Sequence, residues 1–262
     1  MELDQTHVFI GRVALVLEFL GHPDAQRALR AVISNRLEQK ATTTMLVTLL
    51  GQGSKPEAAT LDFLDSLTHH SNGDIKDAAL FASGTALSNL QVHDPVAAAE
   101  RLERYKKRFE DSQDPQEKTL IIDLFGNSKM PEALDILEKQ IRLNSSEPMH
   151  SLAIEALRLI DHPRARSLLL ELLQQGQPNE RLAAIKALKF QPFMPDVLAL
   201  SNAALTHPEP DTVELRGLYL EWLGSHQNEI PDLGERLKAY LNIETSEENR
   251  KLARNLLDLT QD

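Results

Sequence analysis

The sequence predicts an all-α protein, an α-solenoid of about seven helix pairs followed by a terminal helix, and three observations predict it. Prolines recur in phase, at Pro23, Pro56, Pro95, Pro131, Pro163, Pro195 and Pro231, with separations of 32 to 39 residues. Ahead of them lie apolar runs such as "KTLIIDLFG" and "SLAIEALRLI", with leucine, isoleucine and alanine three and four residues apart, the spacing of one helix face. The stretches around the prolines resemble one another, as in "LLGQGSKPEAATL", "LFGNSKMPEALDIL" and "LIDHPRARSLL". A copy of two helices cannot bury its own apolar face, so such copies stack.

The elements follow in order. The first pair opens with "HVFIGRVALVLEFL", apolar nearly all round, and stops at Gly21; Pro23 starts its second helix, with Asp24 against the positive helix end. In the second pair the stop is Gly51 and the start Pro56-Glu57. The third pair's first helix ends at Ala86 to Leu90, and Pro95 leads into "ERLERYKKRFED", where Leu102, Tyr105 and Phe109 form a buried stripe and Glu100, Glu103 and Glu110 pair with the basic residues. The fourth stops at Gly126 and restarts at Pro131-Glu132; the fifth ends at Ala156 to Ile160 before Pro163; the sixth at Ala187 to Phe190 before Pro195. The seventh stops at Gly224 before Pro231-Asp232. "TSEENRKLARNLLDL" then reads as the first helix of an incomplete eighth pair, with Thr245 and Glu248 as a capping box ahead of Leu252, Leu256 and Leu259. Gly21, Gly51, Gly126 and Gly224 are expected in the left-handed conformation of a helix stop. Ala25, Ala58, Ala97, Ala133 and Ala165, two residues past their prolines, are expected at buried helix contacts.

Composition bounds the chemistry. With 262 residues, 42% of them apolar, the chain can bury a core without cross-links, and the absence of cysteine removes disulfides, thiolate chemistry and Cys-based zinc sites. The net charge of −11 makes nucleic acid a poor default partner. Neither an export signal nor a membrane span is legible, since Arg12 and Glu18 interrupt the apolar run at the start; the compartment stays open, with cytoplasmic as the default unless the chain is a fragment. No P-loop, GxGxxG, HExxH or GxSxG motif occurs, and no cofactor is implied. The nearest thing to a metal constellation is His69, His70 and Asp74 in "THHSNGD", which reads as a turn with a cap. His22, His93, His162, His207 and His226 recur at the turn inside each pair and read as turn chemistry, because a catalytic base is needed once.

The pattern "ALxxL" followed by "xPEAxxxL" resembles HEAT repeats; the ankyrin Thr-Pro-Leu-His signature and the paired aromatics of tetratricopeptide repeats are missing. The stretch from Lys118 to Leu173 resembles more particularly the helical domain of the vitellogenin and microsomal triglyceride transfer group. The resemblance, which covers Leu46 to Leu223, implies a right-handed superhelix, and the repeats read as a single HEAT-like domain over 1–262. It also implies a second reading, an accessory domain of a larger lipid-carrying protein, although no lipid-binding residue is carried over.

The leading expectation is a non-catalytic scaffold for a protein partner, with the second helices lining a concave surface. Counting from the prolines places Arg27, Arg30, an exposed Phe63, Arg101, Arg104, Lys107, Glu138 and Arg142 on that surface, with Asp135 and Lys238 beside them. The all-round apolar first helix predicts either that more protein precedes Met1 or that the chain self-associates through Phe9, Val13 and Val16.

Overall fold

The computed structural model describes residues 21–143, 147–206 and 212–259. The first predicted helix, with Phe9, Val13 and Val16, lies outside them, as does His207. The described residues form α-helices joined by short turns, with no strand among them: α1 Pro23–Ser34, α2 Lys40–Gly51, α3 Ala58–Leu67, α4 Gly73–His93, α5 Pro95–Asp111, α6 Pro115–Ser128, α7 Leu134–Arg142, α8 Glu147–Ala156, α9 Pro163–Gln175, α10 Pro178–Leu188, α11 Pro195–Thr206, α12 Val213–Ser225, α13 Leu233–Leu241 and α14 Glu247–Leu259. Even-numbered helices are the first members of the predicted pairs and odd-numbered ones the second, which is the order of a HEAT-like α-solenoid. The chain divides into two compact units, one up to Gln140 and one from Ile141.

Proline does start most of the second helices. Pro23, Pro95, Pro163 and Pro195 occupy the first residue of α1, α5, α9 and α11, and Pro131 opens a single 3-10 turn that runs into α7. At Pro23, Pro95 and Pro163 the preceding residue supplies the cap. The imidazoles of His22 and His162 accept from the backbone N–H groups of Asp24 and Arg164, each at 3.2 Å, and Asp94 accepts from Ala97 at 3.0 Å. Histidine at the turn is thus a helix cap at two positions. Pro56 and Pro231 depart from the rule: α3 begins at Ala58 and α13 at Leu233, and Asp232 adopts the left-handed conformation at φ 58°. The final helix is capped by Ser246, which accepts from Asn249 N–H at 3.4 Å, so the cap lies one residue past the expected Thr245.

The glycine expectation holds at Gly21 alone, with φ 54°. Gly51, Gly126 and Gly224 lie inside α2, α6 and α12, and the left-handed stop after α6 is Lys129 at φ 56°. Contact between helices explains two of these. A Cβ on Gly51 would stand 2.5 Å from the Ala82 carbonyl oxygen of α4, and one on Gly224 would meet Leu256 at 3.3 Å. Gly84 shows the same at the next joint, 2.7 Å from the Leu124 carbonyl. Glycine there admits a neighbouring backbone.

Within the first unit, α2, α4 and α6 approach one another more closely than α1, α3 and α5 do, and within the second the first helices are again the closer set. Ala79, Ala82 and Ala86 are fully buried in the tight layer. The wider layer is bridged by long side chains. Side-chain amides close the turns of adjacent pairs: Gln26 donates to the Lys55 carbonyl at 2.8 Å and Asn89 to that of Gly53 at 2.8 Å. In the second unit Gln191 donates to the carbonyls of Leu157, Arg158 and Ile160. These bonds satisfy carbonyl groups that a buried turn would otherwise leave unpaired. Of the five alanines, Ala25, Ala133 and Ala165 are buried, whereas Ala58 is exposed and Ala97 half-buried beside a fully buried Ala98. In α3 the buried stripe runs through Thr60, Leu61, Leu64 and Leu67 and leaves Ala58 outside it, and in α5 it runs through Ala98, Leu102, Tyr105 and Phe109.

Candidate protein-interaction surface

The predicted second-helix residues divide by what they already hold. Arg101 is only 12% exposed in its side chain and donates to Asp62 at 2.7 Å and Asp65 at 3.1 Å, joining α5 to α3. Tyr105 donates to the same Asp65, and its hydroxyl is pushed well above the ordinary tyrosine range by burial and by that carboxylate. Arg30 reaches Thr60 and, at 3.5 Å, Glu57, joining α1 to α3. Phe63 is half-buried, against the expectation of an exposed anchor, because it borders the buried stripe of Thr60, Leu61, Leu64 and Leu67. Arg27 is exposed beside Asp24 at 3.1 Å, Glu138 is half-buried, and Arg142 is exposed and pairs with Glu171 at 3.4 Å. Arg104 and Lys107 project to solvent from α5. The basic run therefore serves first as a bridge between helices: Arg108 donates to Glu117 at 2.5 Å and to Thr68 at 2.7 Å. With Arg101 it fastens the widely spaced α3 and α5.

A different feature lies on the closely packed layer. Between α2 and α4 runs an open groove lined by Lys40, Ala41, Thr44 and Thr48 on one side and Asp74, Asp77, Ala78 and Phe81 on the other. Phe81 is 45% exposed, on a helix whose Ala78, Ala79 and Ala82 are buried. Residues 74, 77 and 81 share one stripe of α4 by their three- and four-residue spacing. Neither Asp74 nor Asp77 makes a hydrogen bond or ion pair among the described residues. Partial burial raises the Asp77 carboxyl above its ordinary value; neighbouring Lys76 opposes this and the Asp74 charge adds to it. The Thr44 and Thr48 hydroxyls donate to carbonyls one turn back, at 3.0 and 3.1 Å, so both are already engaged within the helix.

Proline counting along the second helices could not reach this groove. A signal existed in "GDIKDAALFASGTAL": the buried small residues mark a close helix contact, and Phe81 stands off that stripe.

The remaining clusters account for stability. His70 accepts from Asn72 N–H at 3.1 Å and Asn72 caps α4 through Ile75, so "THHSNGD" is a turn with a cap. Among the described residues no group of three His, Asp or Glu side chains is placed to hold a metal ion. His226 departs from the turn role: it is buried 4.7 Å from the Trp222 ring centroid, with Phe193 beside both. Buried Arg216 grips Glu244 at 2.8 and 3.0 Å, while Tyr240, Asn249 and the backbone N–H groups of Thr245 and Ser246 donate to the same carboxylate. No described helix is long and apolar enough to cross a membrane.

No curated protein matches the chain. Residues 102–189, running from within α5 to the end of α10, match the family model described as HEAT repeats; the vitellogenin and lipid-transfer resemblance finds no support there, and the architecture of the described residues is that of a HEAT-like α-solenoid.

Proposed function

We propose that this protein is a non-catalytic scaffold that binds a protein partner, and that the first-helix face of its first unit is the contact surface. HEAT repeats are commonly protein-interaction scaffolds. The observation that carries the choice of face is Phe81, a large ring nearly half exposed in the groove between α2 and α4, on a helix whose neighbouring Ala78, Ala79 and Ala82 are buried. Aromatic side chains held on rigid elements are the usual anchors of interfaces. Within the first unit the first helices form the closer-spaced layer, and this reading places the contact surface there rather than on the second helices that the sequence suggested. Much of the charge on the second-helix face of the first unit is committed within the protein, as at Arg30, Arg101 and Arg108, whereas Arg104 and Lys107 of α5 project to solvent.

The test is affinity capture with three baits: the parent chain, Phe81→Glu, and the double variant Arg104→Glu/Lys107→Glu. A protein retained by the parent and the double variant but lost with Phe81→Glu supports the assignment. Loss with the double variant alone moves the surface to the second helices.

A further inference from the structure

We propose that the α2–α4 groove recognises an isolated lysine or arginine of an extended partner segment, with an apolar residue two or three positions away. This deepens the scaffold reading and rests on it.

The argument begins with charge. Asp74 and Asp77 stand one helical turn apart and have no hydrogen-bonding or ion-pairing partner among the described residues; burial raises the Asp77 carboxyl, Lys76 opposes this and the Asp74 charge adds to it, so a further cation in the groove favours its charged form. A simpler role covers only part of this. Asp74 lies in the first turn of α4, where an acidic group suits the helix dipole. Asp77 lies beyond that turn, half-buried, where the dipole does little for it.

Geometry supplies the second half. At a rise of about 1.5 Å per residue, Phe81 lies roughly 6 Å along the axis from Asp77 and roughly 10 Å from Asp74. An extended segment covers those spans in about two and three residues. A basic side chain held by the carboxylates therefore brings an apolar side chain two or three positions away onto Phe81. Alternatively, the basic residue's own methylene stem lies along the ring.

Lys40 on the opposite wall narrows the choice. It repels a second cation, so the groove favours a single basic residue over a polybasic run. The chain's net charge of −11 steers such a segment inward from a distance.

The experiment is fluorescence anisotropy with dye-labelled octapeptides on the intact chain. One peptide carries a single arginine with leucine two residues on, a second replaces that arginine by glutamine, and a third carries four consecutive arginines. The first should bind, and Asp74→Asn/Asp77→Asn should weaken it about tenfold. The loss should shrink as salt rises from about 50 to about 200 mM, where the Debye length falls below about 10 Å. Phe81→Ala should weaken the arginine–leucine peptide several-fold, with thermal melts unchanged in all variants. Binding of the glutamine peptide as tightly as the arginine one overturns the proposal. So does tighter binding of the four-arginine peptide, or no binding of the first. If the captured partner depends on Phe81 while the Asp74→Asn/Asp77→Asn chain retains it fully, the surface assignment stands and the cation assignment falls.

Discussion

Glu244 shows how one residue can hold the end of the stack. Its carboxylate is buried, which by itself would raise its pKa, yet the bonds from Arg216, Tyr240, Ser246 and Asn249 outweigh burial and hold it well below the ordinary 4.5. Because the folded value is depressed, the stabilisation is present above the unfolded pKa and is lost as pH falls from about 4.5 toward the folded value. Glu244→Ala leaves Arg216 buried without its partner and should destabilise by about 3–5 kcal/mol in urea titrations near neutral pH. Glu244→Gln should flatten the acid limb of the stability profile. His226 acts in a higher window. Burial lowers its pKa below 6.5, against the pull of Glu229, so the folded state disfavours its proton. Stability is complete above the unfolded value and falls with pH below about 6.5, and His226→Gln should remove that first decline.

Between helices, the glycine positions matter more than the apolar count. Gly51→Ala drives a Cβ into the Ala82 backbone of α4, where nothing flexible can move aside, and should cost about 1–3 kcal/mol by thermal melt. Gly73→Ala is the control: it opens α4 with no atom within 4 Å, so the change should be neutral or stabilising by up to about 1 kcal/mol. The bridges of the wider layer answer differently. Arg101→Glu places a carboxylate against Asp62 and Asp65 and should lower the melting temperature, whereas Arg104→Glu, on an exposed side chain, should leave it unchanged. A variant at Arg101 consequently reports on folding before it reports on binding.

Across the whole chain, the phase of each copy sets which alanines are inside. Ala133→Glu buries a charge at a fully buried site and should destabilise by a few kcal/mol, while Ala58→Glu, on an exposed face, should be tolerated. Equal melts for the two variants would show that the pairs are out of the described register. The two changes occupy equivalent places after Pro131 and Pro56, so the contrast reads the packing of each copy and not its sequence position.

Among the described residues, periodicity and proline position were enough to establish the alternation of first and second helices, most second-helix starts and the all-α class, because amphipathic spacing and the missing proline N–H act within a few residues of chain. The buried stripe of α5 was legible for the same reason. Tertiary structure decided the rest. Whether Gly51 ends a helix or admits a neighbour depends on Ala82, which lies 31 positions further along the chain in another pair. Whether Arg101 faces a partner or Asp65 depends on how widely the second helices are spaced. Phe81 could be placed in an exposed groove only once α2 and α4 were packed, since a sequence of small residues around a phenylalanine states which residues are small and leaves open which side they close against.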